Sequence, residues 1–263
     1  MTDTLLAETR GPLLVLTLNK PHKLNALDAG MLAEMAARVR AADLDRSVAA
    51  IVIRGTGRAF STGFDMTAGG AAGEAGARLR ANLESFLAVW HARKPVVAAV
   101  DGYALGAGCI LANLCDFIFA SERSVFGEPE IRYWNPASVT ILPWVVGIRR
   151  AKQLLFYGKN LDARTALAWG MVTEVLPDEG FAEAVLDAVR PLAHLHPDGA
   201  AALKRSINGG MEIAGFLDAL RAGCEEIIPL YEPDSRARAA YQAGVAQRGF
   251  KEYIRYRDEL LRN

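Results

Sequence analysis

Two carboxylates separated by one proline, Glu128-Pro129-Glu130, stand beside Ile131, Tyr133 and Trp134. Proline pushes the residue before it into an extended conformation, and side chains at i and i+2 of an extended segment leave on the same side. Apolar neighbours would strip water from one carboxylate and raise its pKa toward the range useful for proton transfer. A solvated loop pair has the same letters, so the pattern alone decides nothing. A second candidate is Gly106-Ala107-Gly108-Cys109-Ile110, where a strand-like run gives way to a short apolar helix. The first amides of a helix have no partner inside it and carry the positive end of its dipole, so this junction could hold a negatively charged oxygen. The same small residues also suit tight packing of a helix on a sheet.

A third group, Ala59-Phe60-Ser61-Thr62-Gly63, falls one glycine short of a nucleophile elbow. With an Asp and His194 downstream it reads as a serine hydrolase. Against that, Ala59 crowds the elbow and no HGGG-type segment precedes it. His22, His91, His194 and His196 have no metal-ligand spacing, and the sequence has neither a phosphate-binding P-loop nor a dinucleotide fingerprint. Cys109, Cys115 and Cys224 lack CxxC spacing, which argues against a zinc site or a disulfide framework.

These residues need a scaffold. Val96 to Val100 is an apolar, β-branched run that reads as a buried strand, and Asp116 to Ala120 resumes the pattern. Ala49 to Arg54 is another strand, followed by a glycine-punctuated loop from Gly55 to Met66. Leu79, Leu83, Phe86, Leu87 and Trp90 mark an amphipathic helix. Strand, glycine loop and helix therefore occur twice, which could set the two glycine loops side by side. Thr4 to Thr9 can pair with Leu13 to Leu18 across Gly11-Pro12. Asp28 and Asp162 are placed to cap helices, and Val172 to Leu176 is a last short strand. Ala68 to Gly76, rich in Gly and Ala, reads as a loose connection. From Asp178 the pattern is helical, with breaks expected at Pro191, Pro197, Gly209-Gly210 and Pro229 to Pro233. A soft boundary near Pro197 divides residues 1–196 from a helical region, 197–263. The tail from Ser235 reads as a solvated helix pair or a subunit contact.

The chain has 263 residues, 51% hydrophobic, with 30 basic and 30 acidic side chains. That is ample for one large core, and the absence of a basic stripe argues against nucleic-acid binding. Asp101, Asn113 and Asp116 would sit in hydrocarbon if the central apolar stretch spanned a membrane. No secretory signal is visible, and a cytoplasmic setting is expected.

Three stretches in order and spacing, Arg58 to Asp65, Pro95 to Cys109 and Phe126 to Ile131, resemble the crotonase superfamily of enoyl-CoA hydratases and isomerases; Lys20 to Leu27 and Ala163 to Pro177 are similar to it as well. The resemblance implies an α/β spiral of ββα turns with a C-terminal helical region, assembled as a homotrimer or homohexamer. It implies an acyl-CoA thioester substrate and no cofactor, coenzyme A arriving as part of the substrate. By position, the backbone N–H groups of Phe64 and Ala107 would hold the thioester oxygen as it gains enolate charge, and Glu130 would transfer the proton. Lys23, Leu24 and Ala26, with the backbone of Ser61 and of Asp65 to Met66, would line the CoA path. Ile110, Tyr133 and Trp134 would shape the acyl pocket. Of the two hydratase glutamates, the one on the central helix is Ile110 here, and a lysine frequent after the Asp is Thr67. A non-catalytic CoA-binding homologue is the third reading.

Overall fold

The computed structural model describes residues 3–65, 74–133 and 136–260. Strand β1 (Leu5–Arg10) pairs antiparallel with β2 (Leu13–Leu18), the hairpin expected across Gly11. Asp28 then caps helix α1 (Ala29–Leu44), its side chain accepting from the Met31 N–H. From there one unit recurs. A long strand enters a large sheet, a short strand enters a small one, and the chain leaves through a loop. The units are β3 (Ala50–Gly55) with β4 (Ala59–Ser61) and α2 (Ala75–His91); β5 (Val96–Val100) with β6 (Tyr103–Leu105) and α3 (Ala107–Leu114); and β7 (Phe117–Ser121) with β8 (Val125–Gly127). After β8 come α4 (Leu142–Val145), α5 (Ile148–Tyr157), β9 (Asn160–Asp162), α6 (Ala163–Ala168) and β10 (Glu174–Leu176).

The six-stranded sheet has the order β1-β2-β3-β5-β7-β10 and the four-stranded sheet β4-β6-β8-β9. Apart from the antiparallel outer strands β1 and β9, pairing is parallel. The inner strands of the large sheet, above all β5, are largely apolar because both of its faces are covered there. Val15, Val52, Val97 and Phe119 face α7 (Phe181–Val189), while Leu16, Ile51, Ile53, Ala98 and Ile118 face the main core with α1, α2 and α3.

The C-terminal region is helical as expected: α8 (Pro197–Ile213), α9 (Phe216–Tyr231), α10 (Arg236–Arg248) and α11 (Phe250–Leu260). One expected break is absent, helix α8 continuing through Gly209-Gly210 to Ile213, whereas α9 ends at Tyr231, inside the break expected from Pro229 to Pro233, with Pro229 taken into its last turn. Tertiary packing overrides propensity here: Phe216, Leu220, Cys224 and Ile227 of α9 bury in the main core. Lys204 anchors α8, its Nζ 2.7 Å from Asp116 and donating to the carbonyls of Val89 and Lys94. The connection 68–76 lies mostly outside the described residues, but Ala75 and Gly76 are buried in the first turn of α2. Among the described residues no helix is long and apolar enough to cross a membrane.

Candidate active site

Strands β4, β6 and β8 are parallel neighbours, so the segments leaving their C-terminal ends must lie beside one another. In open parallel sheets this is where ligands bind. Those segments are Gly63-Phe64, Gly106-Ala107 and Glu128 to Arg132. The two glycine loops expected to adjoin do so: a Cβ on Gly63 would stand 3.3 Å from the Ala107 nitrogen and 3.6 Å from the Gly106 Cα. One on Gly108 would fall 2.4 Å from the Ser61 carbonyl oxygen. Only glycine permits this approach, so the close-packing reading of the Gly106 to Gly108 junction holds.

Phe64 pairs with Leu27 in a short parallel bridge. The Leu27 N–H donates to the Gly63 carbonyl and the Asp65 N–H to the Leu27 carbonyl, both at 2.8 Å. That pattern leaves the Phe64 N–H without an acceptor, and Ala107, the first residue of α3, has none either among the described residues. Two unpartnered amides on touching loops are what an oxyanion requires.

Glu130 completes the group. A Cβ on Gly106 would meet its Oε1 at 2.3 Å, so this carboxylate lies against the residue preceding Ala107. Its Oε2 is buried with no partner. Burial pushes the Glu130 pKa up to about 7, tempered by a bond from its own backbone and by Arg132. Arg132 is itself held by Asp258 of α11, 3.0 Å away. The Glu-Pro-Glu segment is not the extended run its proline suggests, because Pro129–Arg132 winds into a 3₁₀ turn. The same-side argument therefore fails, and Glu128 points into the interior, 1% exposed. Gly106→Ala is expected to cut activity at least tenfold, because φ is +53° there and the new methyl collides with Glu130. Full activity in a folded Gly106→Ala protein would displace Glu130 from this position.

The CoA-path residues also converge. The Thr62 N–H donates to the Leu24 carbonyl at 3.1 Å, joining the loop before α1 to the end of β4. Lys23 Nζ lies 2.9 Å from Asp65 Oδ2. Leu24 is half-buried and Ala26 is 9% exposed, its carbonyl taken by Lys20 Nζ at 3.0 Å. Sequence reasoning passed over Lys20 and Asn25, which build this loop. Lys20 is buried between Asp28 and Asp65, at 2.8 and 3.0 Å. Burial pulls its pKa down, but the two carboxylates together hold it above the ordinary value. Asn25 is fully buried and donates to the carbonyls of Thr56 and Ala59 while accepting from the Lys20 N–H. Leu24 and Asn25 are the two described non-glycine residues with positive φ, and Asn25's side-chain bonds hold that turn. The partners that bury this loop, Thr56, Ala59 and Asp65, lie 31 to 45 residues away and leave no local signal of this role.

Ile110 is fully buried in the main core. Tyr133 is half-buried near Glu130, Arg132 and Asp258, with its pKa raised chiefly by burial. Met66 and Trp134 lie outside the described residues. Ser61 is fully buried, and its Oγ accepts from the Gly63 N–H at 3.3 Å. His194 is exposed in another turn and makes no bond to Ser61. The hydrolase reading therefore lacks both an accessible nucleophile and a base.

Comparison with known proteins agrees with this geometry. Residues 8–221 match the family model described as enoyl-CoA hydratase/isomerase. A crystal structure of an enoyl-CoA hydratase/isomerase from Xanthobacter autotrophicus Py2 superposes with a TM-score of 0.89 at 33% identity, covering 98% of each chain. A Rhizobium meliloti (strain 1021) protein named "Probable enoyl-CoA hydratase" is 37% identical over 214 residues, 80% of this chain and 83% of its own. The 2,3-dehydroadipyl-CoA hydratase of Escherichia coli (strain K12) is 32% identical over 216 residues, 76% of this chain and 80% of its own. With the fold, three adjoining loops and these matches in agreement, the chain belongs to the enoyl-CoA hydratase/isomerase family and is an acyl-CoA enzyme of that type.

Proposed function

We propose that the enzyme stabilises a thioester enolate between the Phe64 and Ala107 amides and moves the proton with Glu130. The observation that carries this reading is the meeting of two unpartnered amides with a buried carboxylate. A thioester carbonyl oxygen accepting both N–H groups would acidify its α-carbon, and the N-terminal end of α3 favours the developing charge. Glu130, with a pKa of about 7, is divided between base and acid at neutral pH, which suits a group that takes a proton and returns it. Lys23, Leu24 and Ala26, with the backbone of Ser61 and Asp65, would line the path of the CoA portion, and Tyr133 the acyl end. This chemistry needs no cofactor beyond the CoA that the substrate carries. Assembly as a homotrimer or homohexamer, in a cytoplasmic setting, goes with the same reading. The test is solvent deuterium uptake at the α-carbon across a series of acyl-CoA thioesters. CoA binding with no exchange in any of them would leave a binding protein instead.

The same geometry limits hydration. Activating water and protonating carbon are shared by two glutamates in the best hydratases of this family, and here one of those positions is the fully buried Ile110. One positioned acid–base group contributes on the order of 10²–10⁴ in rate. Hydration of crotonyl-CoA is therefore expected to run at least about a hundredfold below that of a two-glutamate hydratase, while α-proton exchange or double-bond isomerisation stays measurable. Hydration at the two-glutamate rate, dependent on Glu130, would show that Ile110 is no handicap.

A further inference from the structure

Glu128 is unexplained by the chemistry above. It is 1% exposed, and neither carboxyl oxygen has a hydrogen-bond partner among the described residues. It makes no ion pair with any described cation, and the nearest guanidinium on its own turn, Arg132, is committed to Asp258. A buried carboxylate with neither counter-ion nor donor is among the most expensive groups a protein can hold; such a group keeps its proton instead.

The groups facing it point the same way. On its own turn is Glu130, whose negative charge opposes ionisation of Glu128, second only to burial. From α3 comes the fully buried Cys109 thiol, whose own ionisation is opposed by burial first and then by both glutamates. Beyond Glu130 lie Arg132 and Tyr133, and from α11 Asp258. None of these supplies Glu128 with a positive partner.

We propose that Glu128 is a positioning residue for Glu130: a carboxylic acid, protonated at neutral pH, whose neutrality leaves Glu130 as the one negative group of the pair. This deepens the proton-transfer reading of Glu130 and rests on it. A second charge beside Glu130 would drive the shared proton onto it and remove the base at the pH where the enzyme must work. It would also oppose the enolate forming at the neighbouring amides.

Infrared spectroscopy tests the protonation state without reference to turnover. At neutral pH the wild-type protein should show the C=O stretch of buried carboxylic acid, to which half-protonated Glu130 adds; in Glu130→Gln the band of Glu128 should remain, and in Glu128→Gln the band should shrink to a remainder that titrates away as pH rises through about 7. A Glu128→Gln difference spectrum showing a lost carboxylate band would overturn the proposal. Should Glu128→Gln not fold, Glu130→Gln still reads the question, because Glu128 is then the remaining acid of the pair; absence of the band there also overturns it. The pH profile of α-proton exchange tests the effect on Glu130. Glu128→Gln exchanges one neutral group for another, so its acid limb should match the wild type and kcat/KM should fall less than in Glu130→Gln. Its alkaline limb, where Glu128 would ionise, should vanish. An acid limb moved to lower pH would mean that a charge had been removed, against the proposal. If no thioester exchanges at all, the reading of Glu130 fails while the infrared result for Glu128 still stands or falls by itself.

Discussion

Ala107→Pro is expected to abolish turnover while leaving the fold in place. Ala107 is the first residue of α3, the one helical position where proline is well accommodated, because its N–H would be unpaired in the helix anyway. Gly106 before it has no Cβ to collide with the proline ring. The substitution therefore removes one N–H and little else. Removing a single oxyanion donor costs on the order of 10²–10³ in kcat. Ala107→Gly, which keeps the N–H, should retain much of the activity. The measurement is kcat for α-proton exchange, with circular dichroism and thermal melting as controls for folding. A folded Ala107→Pro protein with near-wild-type turnover would remove Ala107 from the site.

Glu130→Gln is expected to lose roughly 10²–10⁴ in rate, with its size and much of its hydrogen bonding kept. The pH dependence has a definite sign. Burial raises the folded pKa of Glu130 to about 7 from the ordinary 4.5, so as a base it gains activity as pH rises through about 7. The same shift means that the folded protein holds this proton more tightly than the unfolded chain does. Its contribution to stability is therefore fully present below pH 4.5, declines as the unfolded carboxyl ionises, and is lost as pH passes the folded value. The variant should accordingly melt higher than the wild type at pH 8, by an amount equivalent to roughly 1–3 kcal/mol, with the gap closing near pH 5. An enzyme whose rate survives Glu130→Gln but collapses in Glu128→Gln would reverse the two roles.

Most of the scaffold was legible from periodicity. The β5 run from Val96 to Val100 is apolar at every position because α7 covers one face of its sheet and the main core the other. Asp28 and Asp162 announce their helices because an N-cap acts over three residues. Glycine spacing indicated that the 63 and 106 loops could meet. What escaped was set by contacts distant in sequence. Gly209-Gly210 was read as a break because its local cost is visible, whereas the bonds that hold α8, from Lys204 to Asp116 and from Asn208 to the Trp90 carbonyl, reach back 88 and 118 residues. Glu128 keeps out of the helical region, as a residue before proline should, with φ −126° and ψ 79°, but Pro129 opens a 3₁₀ turn that the Glu-Pro-Glu letters do not announce. The place of Lys20 between Asp28 and Asp65 exists only once its segment has folded onto the end of β4.

The parallel pairing of β4 with β6 has a consequence for how such an enzyme can diversify. Neighbouring strands stand about 4.8 Å apart, and the two proposed oxyanion donors are main-chain groups at the ends of those two strands. Their spacing is thus inherited from the repeat of the sheet and belongs to no side chain. Almost any substitution at residue 64 or 107 short of proline preserves the donor, while Gly63, Gly106 and Gly108 tolerate nothing larger. A gene under drift can therefore rewrite the side chains around such a site without rewriting main-chain donors of this kind. Substrate choice and bond chemistry are in this sense separately heritable, one written in side chains and the other in the fold.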